Sequence, residues 1–162
     1  FVEDSIATRP LAVAAALTAT PRPLVWLAGG QGKGADVSHL RELVAEHVDL
    51  LLAFGQSGPD FEAAYGDLTC VERVSEPTGE ATMRALVTRA TAYLREHHGG
   101  SGHVLLAPLA TSFDQFADYK ARGAAFRAAV AELASATLVG AEPIDRRGEP
   151  LAPRSAGREG SA

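Results

Sequence analysis

The stretch LVWLAGGQGKGADVSHL, residues 24–40, contains the pattern that decides the fold of this chain. It begins as an apolar run, breaks into glycines around a single lysine, Lys33, and continues with apolar residues at helical spacing. A glycine loop between a strand and a helix commonly binds phosphate, because the helix N-terminus presents backbone N–H groups without partners. The stretch therefore predicts a strand, a loop and a helix, with Lys33 as a candidate anion ligand.

The glycine loop matches neither of the common nucleotide-binding patterns. A P-loop has G-x-x-x-x-G-K followed by Ser or Thr, because the hydroxyl helps to hold Mg²⁺. In this chain Leu27 stands at the first glycine of that pattern, and Gly34 follows Lys33. The dinucleotide pattern G-x-G-x-x-G fails because Ala35 replaces its last glycine. Spacing alone leaves two interpretations of Lys33, an anion ligand and a solvated surface charge.

Short apolar runs alternate with segments of helical spacing along the whole chain. Runs rich in Val and Leu predict strands at 24–28, 49–54, 70–74 and 103–107. Apolar spacings of three and four residues predict helices at 10–17, 37–44, 59–65, 83–94 and 116–133. This alternation predicts an α/β domain with a mostly parallel sheet and helices on both faces.

Ligands of a parallel sheet collect where its strands end. The loops at the predicted strand ends are residues 29–36, 55–59 and 108–112. Residues 140–162 are rich in Gly, Pro, Ala and Arg and have no apolar period. We therefore expect one domain over residues 1–139, followed by a flexible tail.

Composition limits the classes of partner. The net charge of −5 argues against a broad basic surface for nucleic acid. No apolar run approaches the roughly 20 residues of a membrane helix, and the N-terminus lacks the layout of a signal peptide. We expect a monomeric, cytoplasmic protein without nucleic-acid or membrane partners, and we expect that a chain beginning at Phe1 was excised from a longer one.

Several polar residues have a structural interpretation. Ser112 and Gln115 fit a capping box at the start of the last helix. Thr8 fits a cap of the first helix, since Arg9 and Pro10 follow it. Asp114 lies four residues before Asp118, as on one helix face, where a solvated pair is expected over paired catalytic acids.

The histidines and the single cysteine predict no metal centre. None of the histidines shows ligand spacing with carboxylates, and His97 with His98 fits the positively charged C-terminus of a helix. Cys70 alone excludes an intrachain disulfide and a multi-cysteine metal site. We expect Cys70 and Trp26, which both lie in predicted strands, to belong to the core.

Three polar motifs occur together in this chain, EDSIATRP (3–10), LAGGQGKGAD (27–36) and LLAPLATSFDQFADYKARGAAF (105–126). In this order and at these separations they resemble the C-terminal domain of the Mur ligase family, in its glutamate-adding branch. The consensus motifs of that branch are close to D-S-K-A-T-N, G-G-x-x-K-G-x-D and S-P-A-x-A-S-x-D-Q-F-x-x-[FY]-x-x-R-G-x-x-F. The resemblance covers residues 1 to about 134, and its third motif is the most specific.

The resemblance implies a Rossmann-like fold and a part in peptidoglycan precursor synthesis. Mur ligases have an N-terminal domain for the UDP-sugar, a central P-loop ATPase and a C-terminal domain that brings the amino acid. In the reaction, ATP phosphorylates the alanine carboxylate of UDP-N-acetylmuramoyl-L-alanine, and the glutamate amine attacks the acyl phosphate. ATP and Mg²⁺ would bind mainly to the central domain, which this chain lacks, so the chain alone is expected to be inactive.

The resemblance also assigns roles to residues. Lys33 would bind a carboxylate of glutamate, and Thr8, Ser112 and Tyr119 would line the same pocket. Tyr119 lies seven residues after Ser112, which predicts about the same face if both lie on one helix. Asp4 and Arg9 would lie near the nucleotide.

The chain differs from the consensus motifs of the family at three positions. Ile6 stands where the family has a lysine, Arg9 where it has an asparagine, and Ala107 where a serine precedes the proline. Loss of that lysine removes a charge contact with the acyl phosphate, which Arg9 would replace in part. The branch that adds L-glutamate also matches loosely, so both enantiomers stay open. A different interpretation is a stand-alone α/β anion-binding or regulatory module without ligase activity.

Overall fold

A parallel five-stranded sheet lies at the centre of the computed structural model, which describes residues 1–32 and 38–139. The strand order is β1-β5-β2-β3-β4, and every neighbouring pair is parallel. Along the chain the elements are β1 (Val2–Glu3), α1 (Pro10–Ala19), β2 (Leu24–Gly29), a short 3₁₀ helix (Ser38–Leu40), α2 (Arg41–His47), β3 (Leu50–Phe54), α3 (Gly58–Tyr65), β4 (Cys70–Val74), α4 (Gly79–His98), β5 (His103–Leu106) and α5 (Tyr119–Val139). The predicted α/β class with a parallel sheet, and the Rossmann-like fold that the resemblance implied, are confirmed.

The central strands are buried on both faces because helices cover both sides of the sheet. Every residue of β2 and β3 is buried. Helices α1, α2 and α3 contribute to one apolar cluster and α4 and α5 to the other. Alternate side chains of β2 enter opposite clusters, so that Trp26 belongs to the first and Leu27 to the second.

Trp26 is the largest fully buried side chain on the face of α1, α2 and α3, and its placement in the core is confirmed. Its ring packs against Phe61 and Tyr65 of α3, with centroids 6.1 and 5.8 Å away. Its indole Nε1 donates a hydrogen bond of 2.8 Å to the carbonyl oxygen of Ala107. One side chain therefore connects the centre of the sheet to α3 and to the end of β5.

The last helix begins later than the capping-box interpretation predicts. Residues 112–118 form turns, and α5 starts at Tyr119, where Asp118 Oδ1 accepts the backbone N–H of Ala121 at 2.7 Å. Gln115 donates from Nε2 to Thr82 Oγ1 at 3.2 Å. The capping box was wrong because the partner of Gln115 lies on α4, which a local pattern does not reveal.

Two other local predictions differ from the structure. Thr8 does not cap α1, because the helix begins at Pro10 with Arg9 as its N-cap, and the N–H of Thr8 donates to the carbonyl of Ile6 at 2.7 Å. Cys70 is exposed because it begins the edge strand β4. The C-terminus of α4 is as predicted, with His97 and His98 in its last turn and the following glycine in a left-handed conformation.

Some predictions concern residues that the structure does not describe. Lys33 and the tail, residues 140–162, lie outside the described residues, and the boundary at 139 stays a prediction. Among the residues that are described, no helix is both long and apolar enough to cross a membrane.

Replacement of Trp26 by Phe should lower the free energy of unfolding by about 2 kcal/mol, because it removes buried ring atoms and leaves the Ala107 carbonyl without its indole donor. Leu11 is 84% exposed on α1, and its replacement by Ala is the control, with an expected change within about 0.5 kcal/mol. Urea unfolding followed by circular dichroism measures both. An equal change in the two variants would contradict the anchoring role of Trp26.

Candidate functional site

The order of the strands creates a crevice at one edge of the sheet. From β2 the chain moves to β3 and β4 on one side, and it then returns to form β5 on the other side of β2. The loops that leave β2 and β5 therefore diverge at their carboxyl ends. In open parallel sheets a switch of this kind is the usual place for a ligand.

The loops at this carboxyl edge are hydrogen-bonded to one another. Gln31 and Thr111 form an isolated antiparallel bridge, with N–H to carbonyl distances of 2.8 and 3.1 Å. The carbonyl of Gly30 accepts from both the backbone N–H and the hydroxyl of Ser57, each at 2.9 Å. The N–H of Leu109 donates to the carbonyl of Ala7 at 2.9 Å. Segments that are distant in sequence thus form one backbone surface.

Close approach explains the glycine at position 30. Gly30 has φ of +127°, and a Cβ there would lie 2.1 Å from the carbonyl oxygen of Thr111. The same Cβ would lie 3.1 Å from Nη1 of Arg122. Glycine is required at this position because the two loops touch, whatever ligand the loop binds.

Arg122 on α5 lies directly beneath this surface with none of its area exposed. Its Nε and Nη2 donate to the hydroxyl and carbonyl oxygens of Ser5, both at 2.9 Å. Its Nη1 donates to the carbonyls of Ala110 at 3.1 Å and Gly29 at 3.4 Å. One guanidinium thus joins the end of β2 to the segments that follow β1 and β5.

Burial lowers the pKa of Arg122 to about 10, although the nearby carboxylates of Asp114 and Glu3 act to raise it. The guanidinium is therefore protonated at neutral pH, and it places a positive charge under the carboxyl edge. The predicted site residues did not include it. Two signals were present in the sequence, the arginine of the third family motif and its position four residues before Phe126 on the buried face of α5.

Asp114 connects the turn after β5 to the loop after β3. Its Oδ2 accepts the N–H of Gln56 at 3.0 Å, while its Oδ1 is buried without a hydrogen-bond partner among the described residues. The sequence predicted that Asp114 and Asp118 share a helix face. They do not, because Asp114 precedes α5 and Asp118 caps it. Among the described residues there is no group of three or more His, Cys, Asp or Glu side chains that could hold a metal ion.

The described site residues lie at or beside the carboxyl edge. Thr8 is half-buried in the segment after β1, and Ser112 is 3% exposed in the turn after β5. Arg9 is exposed at the N-cap of α1. The two-turn relation between Ser112 and Tyr119 is wrong, because the residues between them are not helical.

Tyr119 instead lies on a second depression, beside β1. This pocket has a volume of about 280 Å³, and its lining includes Tyr119, Asp4, Ile6 and Lys120. Arg127 also lines it and is ion-paired with Glu3. The pocket shares the segment after β1 with the carboxyl edge, since Ser5 lines it and also bonds Arg122.

Comparison with known proteins identifies relatives, although no family model matches the chain. It is 48% identical over 130 residues to the UDP-N-acetylmuramoylalanine–D-glutamate ligase of Thermus thermophilus. The enzymes of the same name from Deinococcus radiodurans and Nitratidesulfovibrio vulgaris are 46% and 41% identical, each over 134 residues. These three alignments cover 80%, 82% and 83% of this chain but only 30%, 28% and 29% of the relatives. The chain thus spans less than a third of their length, and it matches their C-terminal region.

Replacement of Gly30 by Ala should lower the free energy of unfolding by about 3 kcal/mol or more, since strain at positive φ adds to the overlap with Thr111. Gly99 also has positive φ, +59°, but a Cβ there meets nothing within 4 Å. Its replacement by Ala is the matched control, with an expected loss of about 1 kcal/mol. Denaturant unfolding of the two variants measures the difference, and equal losses would show that the loops can separate freely.

Proposed function

We propose that this chain is the glutamate-binding domain of a Mur ligase. The premise is that the chain belongs to the Mur ligase family, as a homologue of the C-terminal region of its D-glutamate ligases. The complete ligase would join glutamate to UDP-N-acetylmuramoyl-L-alanine in the cytoplasm, with consumption of ATP, during peptidoglycan precursor synthesis. The observation that carries the proposal is the convergence of all three family motifs at the carboxyl edge, through the contacts of Arg122 and the bridge between Gln31 and Thr111.

The chemistry of the edge suits a small anionic substrate. Arg122 supplies a buried positive charge, and Lys33 would add a second one where the glycine loop continues. A charge-assisted hydrogen bond to a carboxylate is strong in a cleft that excludes water. We therefore assign Lys33 to a carboxylate of glutamate, with the hydroxyls of Thr8 and Ser112 as further hydrogen-bonding groups in the same pocket.

Tyr119, Asp4 and Arg9 complete the proposed assignments. Tyr119 would line the glutamate pocket from the start of α5, and its position beside Asp4 and Ile6 places it next to the segment after β1. Asp4 and Arg9 lie on that segment, and we assign them to the side that faces the nucleotide. An arginine can form a bidentate contact with phosphate oxygens, which supports Arg9 as a partial replacement for the family lysine at position 6.

This domain would contribute to the reaction by positioning glutamate rather than by supplying groups that react. ATP with Mg²⁺, held mainly by the rest of the ligase, supplies the phosphoryl group that activates the alanine carboxylate. Lys33, Thr8 and Ser112 would orient glutamate so that its amine attacks the activated carbonyl carbon. Phosphate then leaves, and the amine loses a proton as the amide forms. Correct orientation of this kind accelerates a two-substrate reaction strongly.

The decisive experiment uses the full reading frame that contains this chain. The purified protein should release phosphate from ATP only when UDP-N-acetylmuramoyl-L-alanine and glutamate are both present. A comparison of D- and L-glutamate identifies the enantiomer. The absence of glutamate-dependent phosphate release would contradict the proposal and favour a regulatory or anion-binding module.

Residues 1–162 alone should neither hydrolyse ATP nor form the amide, because the sequence has no P-loop and no UDP-sugar domain. Phosphate release and product formation are measured with all substrates present, beside the full-length ligase as the positive control. Turnover above a protein-free blank would show that the fragment contains catalytic groups that we have not assigned.

Replacement of Lys33 by Ala in the complete ligase should raise the KM for glutamate roughly ten- to a hundredfold, the equivalent of about 1.5 to 3 kcal/mol for one charge-assisted bond. Misplacement of the amine should lower kcat as well. Lys33→Arg should restore binding only in part, because a planar guanidinium does not reproduce a compact ammonium.

The measurement is steady-state kinetics with glutamate varied at saturating ATP and UDP-sugar, together with a thermal melt of each variant. Arg84→Ala is the control, since Arg84 is an exposed cation of α4 that pairs with Glu132 on α5. We expect wild-type kinetics from it. If Lys33→Ala also shows wild-type KM and kcat, Lys33 is a solvated charge.

A further inference from the structure

Arg122 is an unusual residue for the interior of a helix-sheet interface. It has no exposed surface, and in the described part of the chain its hydrogen bonds go to uncharged oxygens of Ser5, Gly29 and Ala110. Removal of a guanidinium from water is costly when no carboxylate contacts it directly. Its lowered pKa of about 10 reflects this cost. An apolar side chain of similar size would fill the same space without it.

The guanidinium of Arg122 forms hydrogen bonds that an apolar side chain cannot form. A guanidinium presents five N–H donors in one rigid plane. Here that plane contacts three chain segments, at Ser5, Gly29 and Ala110. A lysine donates from a single nitrogen and cannot reproduce this fork. Among the side chains of the protein alphabet, only arginine can therefore bond all three segments from one plane in this way.

We infer that Arg122 is a positioning residue for the amino-acid site, which sets the relative places of the segments that carry Thr8, Ser112 and the start of the glycine loop. This inference rests on the proposed function. Ser5 lies three residues before Thr8, and Ala110 lies two before Ser112. Gly29 is the last residue of β2, four residues before Lys33. Arg122 itself lies beneath the backbone and acts on the substrate through these segments.

A positioning role predicts a specific kinetic signature in the complete ligase. Arg122→Lys should raise the KM for glutamate about tenfold, because small errors in the position of binding groups are costly. The KM values for ATP and UDP-N-acetylmuramoyl-L-alanine should stay within about twofold, and kcat should fall by less than about threefold. A purely structural role would instead lower the melting temperature and the active fraction, and would leave the KM for glutamate unchanged.

Ser5→Ala provides a second variant with a smaller perturbation. It removes the hydroxyl that accepts from Nε but keeps the backbone carbonyl that accepts from Nη2. We expect a KM for glutamate about threefold above wild type. The double variant should have the KM of Arg122→Lys alone, since both changes break the same contact.

Arg89→Lys is the matched control. Arg89 is a half-buried arginine of α4 that makes a bidentate contact of 2.7 Å with Glu72 on β4, away from the three segments. Its replacement should lower the melting temperature without a change in the KM for glutamate. This control separates the effect of a lost arginine fork from the effect of a displaced site.

The outcomes distinguish the inference from the proposed function. A wild-type KM for glutamate in both Arg122→Lys and Ser5→Ala would overturn the inference while the ligase assignment stands. If Arg122→Lys does not fold, the KM of Ser5→Ala for glutamate decides whether the inference stands. If the wild-type ligase does not use glutamate, the proposed function fails, and hydrogen exchange at Gln31, Leu109 and Thr111 tests positioning instead. Faster exchange in Ser5→Ala than in Arg89→Lys supports it, and equal exchange overturns it.

Discussion

The buried guanidinium of Arg122 is the contact on which the arrangement of the carboxyl edge depends. The end of β2 and the segments that follow β1 and β5 meet at one side chain, through oxygens of Gly29, Ser5 and Ala110. Gly29 is held in the sheet as the last residue of β2, where it pairs with Phe54, but Ser5 and Ala110 lie in segments outside the helices and the sheet. Contacts across the loops position these two segments against the end of β2, and a planar group with several donors is suited to that task.

The topology of the sheet determines why this contact is needed. Because β5 returns to the far side of β2, the loops after these strands leave in different directions and open a crevice between them. The bridge between Gln31 and Thr111 closes part of that crevice, and it requires the backbones to approach so closely that Gly30 has no room for a Cβ. The same close approach brings polar backbone groups and a buried positive charge to the place where a ligand of a parallel sheet would bind.

The fold was largely predictable from the sequence, whereas the site was predictable only in outline. The spacing of apolar residues placed β2, β3, β4 and β5 to within one or two residues. The runs of β2 and β3 are continuous because these strands are buried on both faces. The same spacing placed β4 but not the exposure of Cys70, which follows from its place at the edge of the sheet. The third motif contains Arg122, but its burial was not predicted, since a charged residue in a helix is ordinarily exposed to solvent.

The sequence by itself determined the alternation of strands and helices, the position of the glycine loop and the three motifs that indicate the family. These are local properties, fixed by apolar period, by turn residues and by residue types at short spacing. Only the tertiary structure decided that α5 begins at Tyr119, that Gln115 reaches Thr82 on α4, and that Arg122 joins three distant segments. Each of these depends on a partner far away in sequence, and the energy of a hydrogen bond to such a partner does not appear in any local pattern.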